Sequence, residues 1–112
     1  MKMDPYIYPV QDLDAAKALF TTLLGVEPYQ DEPYYVGFRV GEQEFGLNPH
    51  GHAQGMSGPV GYFIVDDVKA SIDSLVGLGA TVTQGATDVG GGKLIAVLSD
   101  ADGNPIGLTQ NP

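Results

Sequence analysis

The sequence predicts an α+β domain of two tandem βαβββ modules, and three observations predict it. Two apolar stripes of helical period each follow a β-prone segment and an aspartate, and each ends at a glycine: Leu13, Ala16, Phe20, Leu23 and Leu24 before Gly25, then Val68, Ile72, Leu75 and Leu78 before Gly79. The order then repeats. Val10 and Asp12 stand 55 positions before Val65 and Asp67, Leu24-Gly25 stands 54 before Leu78-Gly79, and Phe45-Gly46-Leu47 stands 61 before Ile106-Gly107-Leu108. Finally, 16 glycines and 8 prolines in 112 residues call for many turns between short strands.

Residues Tyr6 to Val10 are β-prone and lead into Asp12, whose side chain can cap the free amides of a helix over Leu13 to Leu24. Gly25 supplies its left-handed stop. Val26 to Asp31 is expected as a short edge strand interrupted by Pro28, followed by strands over Tyr34 to Val40 and Gln43 to Asn48. Residues 49–59 are small, polar and rich in breakers, and read as a linker between a first module over 1–48 and a second over 60–112. The second module should hold a strand over Val60 to Val65, a helix capped by Asp67, and strands over Thr81 to Thr83, Leu94 to Leu98 and Ile106 to Thr109. Modules of this size bury little alone, so the expected architecture is one domain over 1–112. Its mixed sheet is cupped, with the helices on the outer face and a shared concavity.

At 11.8 kDa the chain has room for one such core. Five Lys and Arg against fourteen Asp and Glu leave a net charge of −9. A surface of that sign repels phosphate backbones and anionic headgroups, so nucleic acid and membrane are not expected partners. The carboxylates are spread evenly, as on a uniformly solvated surface. The absence of cysteine removes disulfides, thiolate metal sites and cysteine nucleophiles. No apolar run approaches the ~18 residues of a membrane span and the N-terminus lacks a signal-like apolar stretch, so a cytoplasmic protein is expected.

Several motifs carry a resemblance to a known family. Pro9-Val10-Gln11-Asp12-Leu13-Asp14-Ala15-Ala16 opens the first module, and Leu23-Leu24-Gly25-Val26-Glu27-Pro28 closes its helix. Val65-Asp66-Asp67-Val68 and Leu78-Gly79-Ala80 do the same in the second, and Asp100-Ala101-Asp102-Gly103-Asn104-Pro105-Ile106-Gly107-Leu108 stands near the end. Together these resemble the vicinal oxygen chelate superfamily, the glyoxalase and bleomycin-resistance fold, over nearly the whole chain. The last motif is similar to the family's Asp-Pro-Asp-Gly-Asn hairpin, with Ala101 in place of proline. As chemistry that hairpin says only turn.

The resemblance implies four metal ligands, one near the start of the first strand and one in the last strand of each module. Those positions fall on Pro5, Val60, Gly46 and Gly107, none of which can coordinate an ion, and a shift of one residue recovers only Asp4 and Tyr6. The expectation is therefore a metal-independent small-molecule binding or drug-sequestering protein without a cofactor, acting as a homodimer. The alternative is a lyase, epimerase or ring-cleaving enzyme using zinc, nickel, iron or manganese on unusual ligands. His50 and His52 are the remaining candidates for that, as against solvated imidazoles in a linker.

Strand alternation assigns side chains to the cup. Ile7 and Pro9 should line it, with Glu44 and Asn48 from a neighbouring strand and Tyr62, Ile64 and Thr109 from the second module. Glycines at 46 and 107 are expected to open volume for a flat guest. Of Tyr34 and Tyr35, adjacent in a strand, one faces the cup; with Tyr62 it would stack on an aromatic or cationic guest. Arg39, the chain's single arginine, is either a solvated side chain or an anion anchor, and Glu44 is the best placed carboxylate for a cation. No nucleophile elbow surrounds any serine, and Gly90-Gly91-Gly92-Lys93 lacks the spacing of a phosphate-binding loop.

Overall fold

The computed structural model describes residues 3–112. They form two compact units, one over Pro5–Val60 and one over Gly61–Pro112 to which Asp4 also belongs.

The first unit holds β1 (Met3–Pro9), α1 (Leu13–Leu24), β2 (Gln30–Glu32), β3 (Tyr35–Val40) and β4 (Gln43–Asn48). Its strands lie in the order β2-β3-β4-β1, with β1 parallel to β4 and the others antiparallel. The helix begins where expected because the Asp12 carboxylate accepts a hydrogen bond from the Ala15 amide at 3.0 Å. It ends at Gly25, where a φ of 70° lets the amide reach the Thr21 carbonyl at 3.0 Å. Val36, Phe38 and Leu47 form the buried core, and Tyr8, Val10, Leu13, Ala16, Phe20, Leu24 and Phe45 pack on it. Leu23 does not join them and is 70% exposed. Ten residues at about 100° each leave it roughly 80° from Leu13, on the flank of the stripe.

The edge strand expected over Val26 to Asp31 forms later, over Gln30–Glu32, because Pro28 has no amide to donate. Pairing starts when the Tyr29 amide donates to the Gly37 carbonyl at 2.9 Å. Tyr34 falls in the turn between β2 and β3. Residues 49–59 form linked turns and not a slack linker. The Gly51 amide donates to the Asn48 carbonyl at 3.2 Å and the Met56 amide to that of Gly51 at 2.9 Å, with Gly51 buried against Pro9.

The second unit repeats the order with β5 (Val60–Ile64), α2 (Val68–Gly77), β6 (Thr81–Asp88), β7 (Leu94–Ser99) and β8 (Pro105–Gln110). Its strands lie in the order β5-β8-β7-β6, and β5 is parallel to β8. Asp67 caps α2 by accepting from the Ala70 amide at 3.0 Å, and the Gln110 side chain accepts from the Val68 amide at 2.9 Å. Val68, Ala96, Leu98 and Leu108 are the buried core. Leu78, expected on the apolar stripe, is 86% exposed because α2 already stops at Gly77. Strand β6 runs five residues beyond the expected Thr81 to Thr83. Its eight residues are all exposed, so no apolar alternation announces it. A 2.7 Å ion pair between Lys93 and Asp4 fastens Asp4 to this unit.

The hairpin before β8 is organised by one carboxylate. Asp100 Oδ1 accepts from the amides of Asp102 at 2.9 Å and Asn104 at 2.8 Å, and Oδ2 accepts from Asn104 Nδ2 at 2.9 Å. Gly103 turns the chain with a φ of 84°. The side-chain bond from Asn104, followed by the Asn104 amide, holds the Asp100 carboxyl below its ordinary value of 3.8. A depressed pKa adds stability above the unfolded value, and that contribution is lost as pH falls through the folded one. Asp100→Asn should therefore unfold at lower urea than the parent at neutral pH, with the gap closing below about pH 4. A gap independent of pH from 7 to 2 would show that the charge is not what holds the turn.

Candidate functional site

In each unit one face of the sheet is covered by the helix and the other carries the side chains expected to meet a guest. On the first unit that face is built from Ile7 and Pro9 of β1, Glu44, Gly46 and Asn48 of β4, and Tyr35, Gly37 and Arg39 of β3. The register sets Gly37 directly opposite Gly46, leaving two positions side by side without side chains. Tyrosines occupy both. A Cβ on Gly37 would stand 2.9 Å from Tyr29 Cε1, and one on Gly46 would stand 2.6 Å from Tyr35 Cζ. The volume expected to be open at Gly46 is thus filled by the Tyr35 ring.

Beside these rings lies a compact polar cluster. Arg39 Nε donates to Glu44 Oε1 at 2.8 Å, and the Arg39 guanidinium carbon sits 4.1 Å from the centre of the Tyr29 ring. The Tyr29 hydroxyl donates to Glu44 Oε2 at 3.3 Å. Burial, then the Glu44 charge, pushes the Tyr29 phenol up, and the Glu44 bond raises Arg39. Both groups stay protonated near neutral pH. Arg39, with its side chain 60% exposed, is thus a surface residue paired with Glu44, and the carboxylate best placed for a cationic guest already faces a cation of this chain.

The second unit places Tyr62 and Ile64 of β5 beside Gly107 and Thr109 of β8, with Ile95 and Val97 of β7 completing the face. Gly107 is covered as Gly46 is: a Cβ there would stand 2.6 Å from Tyr62 Cδ1. Burial, and secondarily the Asp4 charge, pushes the Tyr62 phenol up, so it remains neutral. Thr109 is fully buried, and its hydroxyl oxygen has no hydrogen-bond partner among the described residues.

Other expected residues lie apart. Tyr34 is 59% exposed in its turn. Asn48, at the end of the sheet face, is committed to the turns of 49–59, accepting from the His50 amide at 2.9 Å and donating to Gln54 Oε1 at 3.0 Å. His50 and His52 are exposed in those turns. Tyr29 is not among the residues expected at the site: it falls inside the edge strand expected over Val26 to Asp31, where Pro28 breaks the alternation that would assign its face, and it stands just before the observed β2. The signal was the glycine at 37, whose empty position on β3 needed a ring from elsewhere.

A family ion does not fit these residues. The two last-strand ligand positions are glycines under tyrosine rings. Among the described residues no group of three or more His, Cys, Asp and Glu comes together to hold a metal.

Two βαβββ repeats, each with a helix on one sheet face and an Asp-Gly-Asn hairpin before the last strand of the second, define an α+β protein of the glyoxalase type. The chain belongs to the Glyoxalase/Bleomycin resistance protein/Dioxygenase superfamily, which matches residues 2–108. Among solved structures it is similar to the NAD-dependent benzaldehyde dehydrogenase from Legionella pneumophila, at 15% identity and a TM-score of 0.76 over 96% of this chain and 97% of that one. It is similar to a methylmalonyl-CoA epimerase from Streptomyces coelicolor, at 17% and 0.69 over 99% and 94%. It is also similar to the Mn(II)-bound glyoxalase from Novosphingobium aromaticivorans, at 19% and 0.69 over 97% of this chain but 38% of that one. These likenesses show the fold. No curated protein matches the chain. No helix among the described residues is long and apolar enough to cross a membrane.

Proposed function

We propose that this protein binds a small, flat, apolar or aromatic molecule without a metal ion, as a sequestering member of its family. The observation that carries the reading is the replacement of both last-strand ligand positions by glycine, each covered by a tyrosine ring. A ring held against a backbone presents its outer face to a guest and loses little entropy on binding it. A cationic guest gains less here, since it must displace Arg39 from Glu44. The enzyme reading draws support from the Mn(II)-bound relative, whereas the donors of this chain favour binding. Action as a cytoplasmic homodimer is part of the same proposal, and sedimentation tests its assembly.

The test is a thermal-shift and titration screen of planar aromatic compounds, with native mass spectrometry of freshly purified protein for a retained guest. Tyr35→Ala should weaken a compound bound on the first unit's sheet face, and Tyr62→Ala one bound on the second's, each by about threefold to tenfold, as expected for one lost stacking contact of ~0.5–1.5 kcal/mol. Stoichiometric Mn²⁺ or Zn²⁺ binding together with no response to any aromatic compound would sink the proposal.

A further inference from the structure

The repeat makes the two units a comparison within one chain. On the registers of β1 with β4 and β5 with β8, Tyr8 corresponds to Phe63, Phe45 to Ile106 and Leu47 to Leu108. Counting from the capping aspartates, Ala16 corresponds to Ser71, Leu19 to Ser74 and Phe20 to Leu75. In the first unit the space between helix and sheet is filled by rings. Tyr8 meets Phe20 with centroids 5.2 Å apart, Phe20 meets Phe38 at 6.5 Å, and Tyr6 stacks on Phe45 at 6.2 Å.

The second unit puts Leu75, Leu98 and Ile106 where the first has Phe20, Phe38 and Phe45, and Gly61 where it has Tyr6. The backbone arrangement is repeated with less in it. The result is an open groove of ≈ 710 Å³ between α2 and the helix-facing side of β5 and β8. Phe63, Val65, Leu75, Ile106 and Leu108 give it apolar walls, and Asp66, Ser71 and Ser74 bring oxygens to it.

Those oxygens are uncommitted. Among the described residues no side chain pairs with Asp66, Ser71 or Ser74, whereas Asp67 is spent on the α2 cap. The first amides of α2, which would favour an anion, already donate to Asp67 and Gln110. Lys69, the only cation on α2, does not line the groove. What remains is an apolar slot edged by two carboxylates that no cation pairs, Asp67 held in the α2 cap and Asp66 free to meet a ligand, on a chain of net charge −9.

We infer that this groove is a second ligand site, separate from the tyrosine-bearing sheet faces, and that it takes a small organic cation with a flat apolar body. The apolar part fills the space left by the missing rings, and the ammonium meets Asp66 with Ser71 and Ser74 accepting its remaining protons.

The test titrates the full chain with 2-(2-naphthyl)ethylammonium and, in parallel, with 2-naphthylacetate, following amide shifts by NMR. The cation should move the amides of Phe63, Val65, Ser71, Ser74 and Ile106 and bind at least about fivefold more tightly than the anion. Asp66→Asn, on the surface and without structural partners, should reduce that preference at least about twofold, the Asp67 charge in the α2 cap accounting for what is left. Leu75→Phe, which restores the first unit's ring, should abolish binding here while leaving any response at Tyr35 and Tyr62 intact. Equal binding of the two probes, shifts confined to the sheet faces, or closure of the groove by a second copy at the concentrations used would each overturn the inference. Because the sheet-face site is read from different amides, its failure and this one are distinguishable.

Discussion

Gly107→Glu, which restores the residue type the family's metal-using members are expected to carry, should unfold the second unit more readily and confer no metal binding. The first added carbon already meets Tyr62 Cδ1 at 2.6 Å, Tyr62 Cγ at 2.7 Å and the Gly61 carbonyl oxygen at 2.9 Å. The root of a ring and a backbone oxygen cannot swing aside as a side-chain tip can, so even Gly107→Ala should cost about 2–3 kcal/mol, at the upper end of ordinary overpacking. Gly46→Ala should cost less. There the obstruction is the far end of the Tyr35 side chain, with no backbone atom among the contacts. A double-mutant cycle in urea separates the cases: Tyr35→Ala should relieve nearly all of the Gly46→Ala penalty, and Tyr62→Ala only part of the Gly107→Ala penalty. Equal, complete relief in both cycles would contradict the geometry, as would a Gly107→Glu protein of parental stability.

Phe38→Ala should be the most damaging truncation in the first unit. Phe38 is fully buried between Val36 and Leu47 and its ring lies 6.5 Å from that of Phe20. Removing it costs about 3–5 kcal/mol for the lost transfer and the cavity left behind. The equivalent Leu98→Ala in the second unit should cost less, about 2–4 kcal/mol, because fewer atoms are removed from a site of similar burial. Urea midpoints compare the two directly, and hydrogen exchange should show the amides of β3 and β4 losing most protection in Phe38→Ala. A Phe38→Ala protein no weaker than Leu98→Ala would mean that the ring cluster packs more loosely than its distances indicate.

Much of the fold is legible in the sequence because its signals are local. Asp12, Asp67, Gly25 and the spacing of Leu13, Ala16, Phe20 and Leu24 act within a few residues of themselves, and both helices start where those signals place them. Strand β4 matches its expected bounds, since an apolar alternation between a Gly41 turn and Pro49 leaves little choice. The part of β6 beyond the expected Thr81 to Thr83 escaped for the opposite reason: with no buried face it has no pattern to read. The assignment of β1, β4, β5 and β8 side chains to helix or sheet face also follows from alternation. Their occupancy does not. That Tyr29 and Tyr35 would lie across the paired glycines at 37 and 46 depends on register between strands, which a linear reading does not supply. The groove of the second unit likewise becomes visible only when its side chains are set against those of the first.

Strand β6 has a consequence beyond its length. It is the outer strand in the order β5-β8-β7-β6, so one row of its amides and carbonyls faces no neighbour in that sheet. Such an edge invites a strand from another molecule to continue the ladder. Here the pairing with β7 slips between Val82 and Gln84 and again between Gln84 and Thr87, Gly85 sits between the slips, and Asp88 ends the strand with a charge. An incoming strand would have to reproduce both slips and bring no carboxylate to Asp88. The register slips and the terminal charge are the devices by which proteins blunt an exposed edge strand, so the eight exposed residues of β6 carry their own protection against continuing the ladder.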